Sequence, residues 1–243
     1  MSSEQDVRED LAAAFRWAAR LGYHEAVANH FSAAVSSDGT RFVVNPEGRH
    51  FSRIRASELR TLDASDAGTS GVAPDVDPTA WFLHGHLHRE VPRARAILHT
   101  HMPHATALAC LADFELLMLD QNACRFFGRI AYDRQFAGMA LDDHEGERLA
   151  KLIGDDHDVL FLGNHGVMVI GETVAEAFDA LYYLERAAQV QVLALSTGRP
   201  LALVPDEVAQ LTCEQWRTYP DISEHHFAAL RQILDEEAPD YKQ

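Results

Sequence analysis

Apolar residues recur at helical spacing from about Val7 to Leu21, through Leu11, Phe15, Ala18 and Ala19, and the run stops at Gly22. That periodicity predicts an amphipathic first helix. Two short apolar runs follow, Phe31–Val35 and Arg41–Val44, joined by Ser36-Ser37-Asp38-Gly39-Thr40. The glycine-containing connection predicts a hairpin. Asn45-Pro46-Glu47-Gly48 reads as a turn and Ala67–Pro74 as a Gly/Ser-rich surface loop. Asp77 before Pro78 is a helix start, with aspartate as the cap and proline at the first helical position, and this helix runs to about Arg89.

Ala94–Leu98 predicts a strand leading into His99-Thr100-His101, followed by a helix from about Pro103 to Leu111. Leu141–Ile153 reads as a helix with Asp142 and Asp143 in its first turn, where carboxylates suit the helix dipole. Residues 158–162 and 166–170 read as strands around a Gly-flanked turn that carries His165. Thr173 caps a long helix from Val174 to about Ser196, with an apolar stripe of Ala177, Leu181, Leu184, Ala188 and Leu195, ended by Gly198-Arg199-Pro200. The segment 206–237 predicts one or two further helices with acidic faces. The pattern is α/β with mixed strand connections, without the regular βαβ alternation or the glycine-rich loops of nucleotide-binding folds. One domain over 1–205 is expected, with a helical tail, 206–243, packed on it or on a neighbouring subunit.

Composition narrows the function classes. The 243 residues suffice for a sizeable core, and 47% apolar with 24% charged residues is ordinary for a globular chain. A net charge of −16 without a basic block repels a phosphate backbone, so nucleic acid is not an expected partner. No apolar run reaches membrane-spanning length, and no membrane association is expected. The acidic start Met1-Ser2-Ser3-Glu4-Gln5-Asp6 does not resemble a signal peptide. Cys110, Cys124 and Cys213 are scattered, which fits a reducing cytoplasm and neither a disulfide framework nor a cysteine zinc site.

The chemistry-bearing residues are histidines. Side chains two apart on a strand share a face, so His99 and His101 can share one ion. His165 follows a second apolar strand at a turn, and three neutral imidazoles would leave coordination positions open for a substrate. Three separately satisfied histidines remain the alternative for such short motifs.

Several motifs in order resemble the class II aldolase/adducin family. They are Asn29 with Ser32, Asn45-Pro46-Glu47-Gly48, Phe82-Leu83-His84, the run Ile97-Leu98-His99-Thr100-His101-Met102-Pro103-His104-Ala105, and Leu162-Gly163-Asn164-His165-Gly166 before the long helix. The resemblance spans about Leu11 to Pro200 and assigns 1–205 to the family's domain. It implies an α/β three-layer fold with a central, mostly antiparallel sheet covered by helices. It also implies a divalent metal on His99, His101 and His165, zinc before manganese, cobalt or iron. A homotetramer with active sites at subunit boundaries, acting on a small molecule, is implied as well.

Departures from the family pattern guide the expected reaction. The sugar-phosphate aldolases and epimerases carry an acidic proton handler nineteen residues before the first metal histidine, where this chain has Ala80. A second acid of the epimerases falls in a segment matching Ala123–Gly128, where Cys124 stands. The phosphate-gripping turn carries Glu47, and a carboxylate about 4 Å from a phosphate costs roughly 1 kcal/mol per charge pair even in water. These differences favour an unphosphorylated hydroxy or oxo acid. Decarboxylation, through an enediolate stabilised by the metal, is preferred over aldol cleavage because it needs no base to begin. An Fe(II) oxygenase on an aromatic or keto acid and a non-catalytic adducin-like module are the alternatives.

Candidate catalytic residues are Arg125, a fork for a substrate carboxylate, and His84; candidate substrate-binding residues are Asn29, Glu47, Gly48, Arg49 and Gln121. For Arg125 a structural ion pair is the alternative, and for His84 with His88, four apart on one helix face, packing or a hydrogen bond. His30 and His104 flank the motifs. His225 and His226 in the tail either reach a neighbouring subunit's site or lie on a solvated helix face.

Overall fold

The computed structural model describes residues 3–66, 75–219 and 221–243, so the expected loop Ala67–Pro74 lies outside the described residues. Ser3 opens α1 (Glu4–Leu21) with a reciprocal cap: its hydroxyl accepts from the Asp6 amide, and the Asp6 carboxylate accepts from the Ser3 amide. Gly22, at φ 72°, ends the helix in the left-handed region.

Among the described residues seven strands form one sheet, β1 (His30–Ala34), β2 (Arg41–Val44), β3 (Arg60–Asp63), β4 (Ala96–Thr100), β5 (Ile130–Asp133), β6 (Val159–Leu162) and β7 (Gly166–Gly171). Their order is β3-β2-β1-β4-β7-β6-β5, and every pairing is antiparallel except β5 with β6. The mostly antiparallel sheet expected from the resemblance is present. The strands β3 and β5 are additions to the sequence reading. Arg60-Thr61-Leu62-Asp63 is a polar edge strand without a buried residue, and β5 is only four residues long, so neither shows a period.

Helices cover both faces. On one side α2 (Pro78–Glu90) packs against α4 (Asp143–Ile153), with Leu83, Leu87, Leu149 and Ile153 meeting Ile97, Leu160, Met168 and Ile170 of the sheet. On the other side α1, α3 (Pro103–Ala109) and α5 (Val174–Ser196) meet Phe31, Leu98, Phe161, Val167 and Val169. The caps of α2 and α5 are the expected ones: Asp77 accepts from the Thr79 amide and Thr173 from the Glu176 amide. Asp142 caps α4 from outside instead of lying in its first turn.

The tail forms α6 (Asp206–Thr218) and α7 (Ile222–Glu237). Phe227, Leu234 and Tyr241 are buried in the larger core with α1 and α5, and Trp17 Nε1 donates to the Leu230 carbonyl at 2.9 Å. Among the described residues no helix is long and apolar enough to cross a membrane.

Candidate metal centre

Antiparallel pairing sets up the site. His30 of β1 lies directly opposite His99 of β4, and β7 starts beside Thr100. His101 lies one residue beyond β4, and His165 stands on the β6–β7 turn, where Asn164 takes a left-handed φ of 56°. The turn also needs Gly166. A Cβ there would lie 2.5 Å from the Thr100 carbonyl oxygen and 2.8 Å from Cδ2 of His101, so only glycine lets β7 begin under these rings.

His99, His101 and His165 each offer a ring nitrogen, and these atoms lie within 4.8 Å of one another. The His99 ring is buried and donates from Nδ1 to the Val167 carbonyl at 3.0 Å, which leaves Nε2 with its lone pair free. The His101 Nδ1 is hydrogen-bonded to the Glu25 carboxylate, and its Nε2 is buried with no partner. Such an orphan is costly unless something absent from the polypeptide meets it. Burial, then the neighbouring imidazoles His30, His165 and His101, hold His99 well below the usual histidine range. Burial first, then His101, lowers His165 to about 4. His99 and His165 are thus neutral at pH 7, as metal ligation requires, and the trio fits a divalent ion of the zinc type.

A second histidine cluster lies behind the first. His30 Nδ1 and His84 Nε2 are 2.7 Å apart, His84 Nδ1 meets Ser32 Oγ at 2.5 Å, and the same hydroxyl meets His88 Nε2 at 2.8 Å. His30 Nε2 reaches Thr79 Oγ1 at 3.2 Å. His84 is fully buried in this network, so it is a hydrogen-bonded support and not a group facing substrate. The hydrogen-bond alternative for His84 is thus the arrangement within the chain, with His30 and Ser32 on its two ring nitrogens. Ala80 packs with Phe42, Val44 and Trp81 in a separate apolar cluster.

The remaining candidates separate. Asn29, at φ 72°, accepts from the Glu25 amide at 3.0 Å and keeps a buried Nδ2 without a partner. Glu47 and Gly48 are exposed on the turn, where Gly48 takes φ 71°. Arg49 is paired with Glu58 at 2.8 Å. Gln121 is exposed ahead of a short 3-10 turn, Ala123–Phe126.

Arg125 does not join the triad within the chain. It is ion-paired with Asp179, and its guanidinium lies 4.0 Å from the Tyr183 ring centroid and 4.4 Å from that of Trp216. The cleft it lines includes Ile170 and Gly171, the end of β7 remote from His165, about 17 Å along a strand of this length. Within one chain its partner is therefore a carboxylate of α5, the structural ion pair held open by the sequence.

His226 also bonds Asp179, at 2.7 Å, while His225 is exposed. His104 is tied to Glu185, whose carboxylate also accepts from the Ala105 amide. Cys124 is buried, which raises its thiol pKa and makes it a poor proton donor to a substrate.

Two residues near the triad carried no signal along the chain. Glu25 reaches His101 from a turn 76 positions earlier, and Phe136 places its ring centroid 6.1 Å from that of His165. Neither belongs to a spaced motif.

The family model for the class II aldolase and adducin N-terminal domain matches residues 9–192. The chain belongs to the class II aldolase and adducin family. Decarboxylase NovR of Streptomyces niveus is 32% identical over 232 residues, covering 92% of this chain and 84% of that protein. Alpha-adducin of Rattus norvegicus is 32% identical over 206 residues, 83% of this chain but 27% of that protein. The crystal structure of an aldolase II superfamily protein from Pseudomonas syringae superposes with a TM-score of 0.88 at 33% identity, covering 100% of this chain and 97% of that one. The chain has the aldolase II fold.

Proposed function

We propose that this family member is a divalent-metal-dependent carbon–carbon lyase that decarboxylates a small, unphosphorylated hydroxy or oxo acid. The carrying observation is the convergence of His99, His101 and His165, with the Nδ1 atoms of His99 and His101 already engaged and an orphaned Nε2 on His101. Bound there, zinc or a related ion supplies Lewis-acid stabilisation of negative charge developing on a substrate oxygen.

The chain's own groups do the rest. His99, His101 and His165 hold the ion in neutral form. Asn29 offers its unpartnered Nδ2–H to a substrate oxygen. Glu47 on the exposed turn disfavours a phosphate, and the nearby Arg49 charge is already paired with Glu58. Loss of CO₂ breaks the bond to the carboxylate and leaves its electron pair on the adjoining carbon skeleton. One proton is needed only afterwards, which suits a site where Ala80 replaces the usual acid. Among relatives, the name of the NovR decarboxylase supports this preference.

The acting form is proposed to be a homotetramer with sites at subunit boundaries, a reading supported by the resemblance and by exposed Leu193, Leu195, Leu203 and Leu211. A reducing, cytoplasmic setting fits the three free cysteines. The deciding experiment screens metal-reconstituted protein against phosphorylated and unphosphorylated hydroxy, keto and aromatic acids, following CO₂, aldehyde and oxygen uptake together. CO₂ release under anaerobic zinc conditions is expected. Turnover of phosphosugars alone, or oxygen uptake with iron alone, overturns the decarboxylase assignment. A protein that binds no stoichiometric ion joins the adducin-like modules.

A further inference from the structure

Among the described residues Glu25 is the carboxylate that hydrogen-bonds a member of the triad, and the local backbone presents it. The backbone reverses at 25–28: Glu25 and Ala28 form an isolated bridge, with the Ala28 amide donating to the Glu25 carbonyl at 2.8 Å. Two non-glycine residues of this reversal, Ala26 at φ 48° and Asn29 at φ 72°, occupy the left-handed region, which side chains disfavour. Asn29 secures the turn by accepting from the Glu25 amide at 3.0 Å. The Asn29 carbonyl in turn accepts from Asn45 Nδ2 at 3.4 Å, and Asn45 Oδ1 accepts from the Phe31 amide of β1 at 3.2 Å. A chain of hydrogen bonds therefore runs from the sheet through Asn45 and Asn29 to the base of Glu25.

At its far end the Glu25 carboxylate meets Nδ1 of His101. A carboxylate accepts, so Nδ1 carries the proton, and in the neutral ring that a ligand must be, the lone pair is then on Nε2. That Nε2 is buried and has no protein partner among the described residues. His99 reaches the same tautomer by donating to the Val167 carbonyl, a rigid group of β7. His101, being beyond the end of β4, has no strand carbonyl in that role.

We propose that Glu25 is a positioning residue of the metal centre: its carboxylate sets the tautomer and ring orientation of His101, taking the part that a β-strand carbonyl plays for His99. Asn29 acts through it, which gives that asparagine a task in addition to substrate binding. This inference rests on the metal reading above. Outer-shell partners of ligating histidines change metal affinity about 10–100-fold when removed.

The test measures zinc affinity of chelator-stripped full-length protein by competition with a chromogenic chelator, for wild type, Glu25→Ala and Glu25→Gln. Thermal midpoints of the zinc-free forms are recorded beside it. Glu25→Ala is expected to weaken zinc binding about 10–100-fold with the zinc-free midpoint unchanged. Glu25→Gln, whose amide oxygen still accepts from Nδ1, is expected to lie between the two. Cobalt(II) loaded in place of zinc should show an altered visible absorption band in Glu25→Ala. Equal zinc affinity in wild type and Glu25→Ala overturns the inference alone. So does a fall in affinity matched by a fall in the zinc-free midpoint, or Glu25→Gln binding as weakly as Glu25→Ala. If wild type itself binds no zinc, the metal reading fails and the inference with it.

Discussion

The two histidine clusters sit back to back, joined where the His30 and His99 rings face each other across paired strands at 4.9 Å between centroids. In the rear cluster of His30, His84 and His88, five of six ring nitrogens meet a protein partner. In the front cluster of His99, His101 and His165, two of six do among the described residues. Burial lowers His30, His84 and His88 of the rear cluster and His99 and His165 of the front one, His88 to about 3 and His165 to about 4. Low basicity therefore does not distinguish a ligand from a structural histidine. The second nitrogen differs: the rear cluster is closed on itself, while the front one has converging unpaired nitrogens, and it is there that the ion is proposed.

The sharpest way to break this contrast is to remove one member from each cluster. His165→Ala should reduce zinc affinity by more than the roughly 100-fold that an outer-shell change costs, and abolish turnover with it. Metal analysis of the purified variant reads both the contrast and the ligand assignment, and retained stoichiometric zinc would remove His165 from the centre. Ser32→Ala should act in the opposite sense. It leaves Nδ1 of His84 and Nε2 of His88 unpaired, and costs about 2 kcal/mol in urea unfolding of the metal-free protein. Zinc affinity should stay within the range of wild type; a large fall would mean that the clusters act as one.

Acidification sharpens the comparison further. A histidine whose folded pKa lies below its ordinary value binds more protons in the unfolded chain, so it adds stability above about 6.5 and loses it as pH falls. Metal-free protein should therefore melt at progressively lower temperature from pH 6.5 down towards 4, the value to which His165 is held. With zinc bound, the front cluster's share of that loss should move to lower pH, because the ion stabilises the neutral rings. Melting curves at matched pH with and without zinc measure the difference. The smallest effect is expected at Glu47→Gln on the exposed turn, within about 0.5 kcal/mol of wild-type stability.

Much of the architecture is legible along the chain because buried faces and caps leave local marks. The stretch Val174–Ser196 and its Thr173 cap coincide with α5, and the hairpin Phe31–Val35 with Arg41–Val44 differs from β1 and β2 by one residue at two ends. The candidacy of His99, His101 and His165 is legible because two apolar strands and one glycine-flanked turn carry them, although their convergence is not. Arg125 shows the opposite case. A lone arginine in a polar island suits a substrate carboxylate and a buried aspartate equally well, and only the packing of α5 against the 3-10 turn brings Asp179 to it.

Local spacing alone could specify that the chain builds strands ending in histidines and caps its main helices, since period and cap chemistry involve neighbours a few residues apart. Pairing between distant strands was needed to decide that three rings converge, that His84 turns inward to Ser32, and that Glu25 arrives at His101. Those contacts join residues tens of positions apart, and hydrogen bonds of that kind leave no period in the chain to be read.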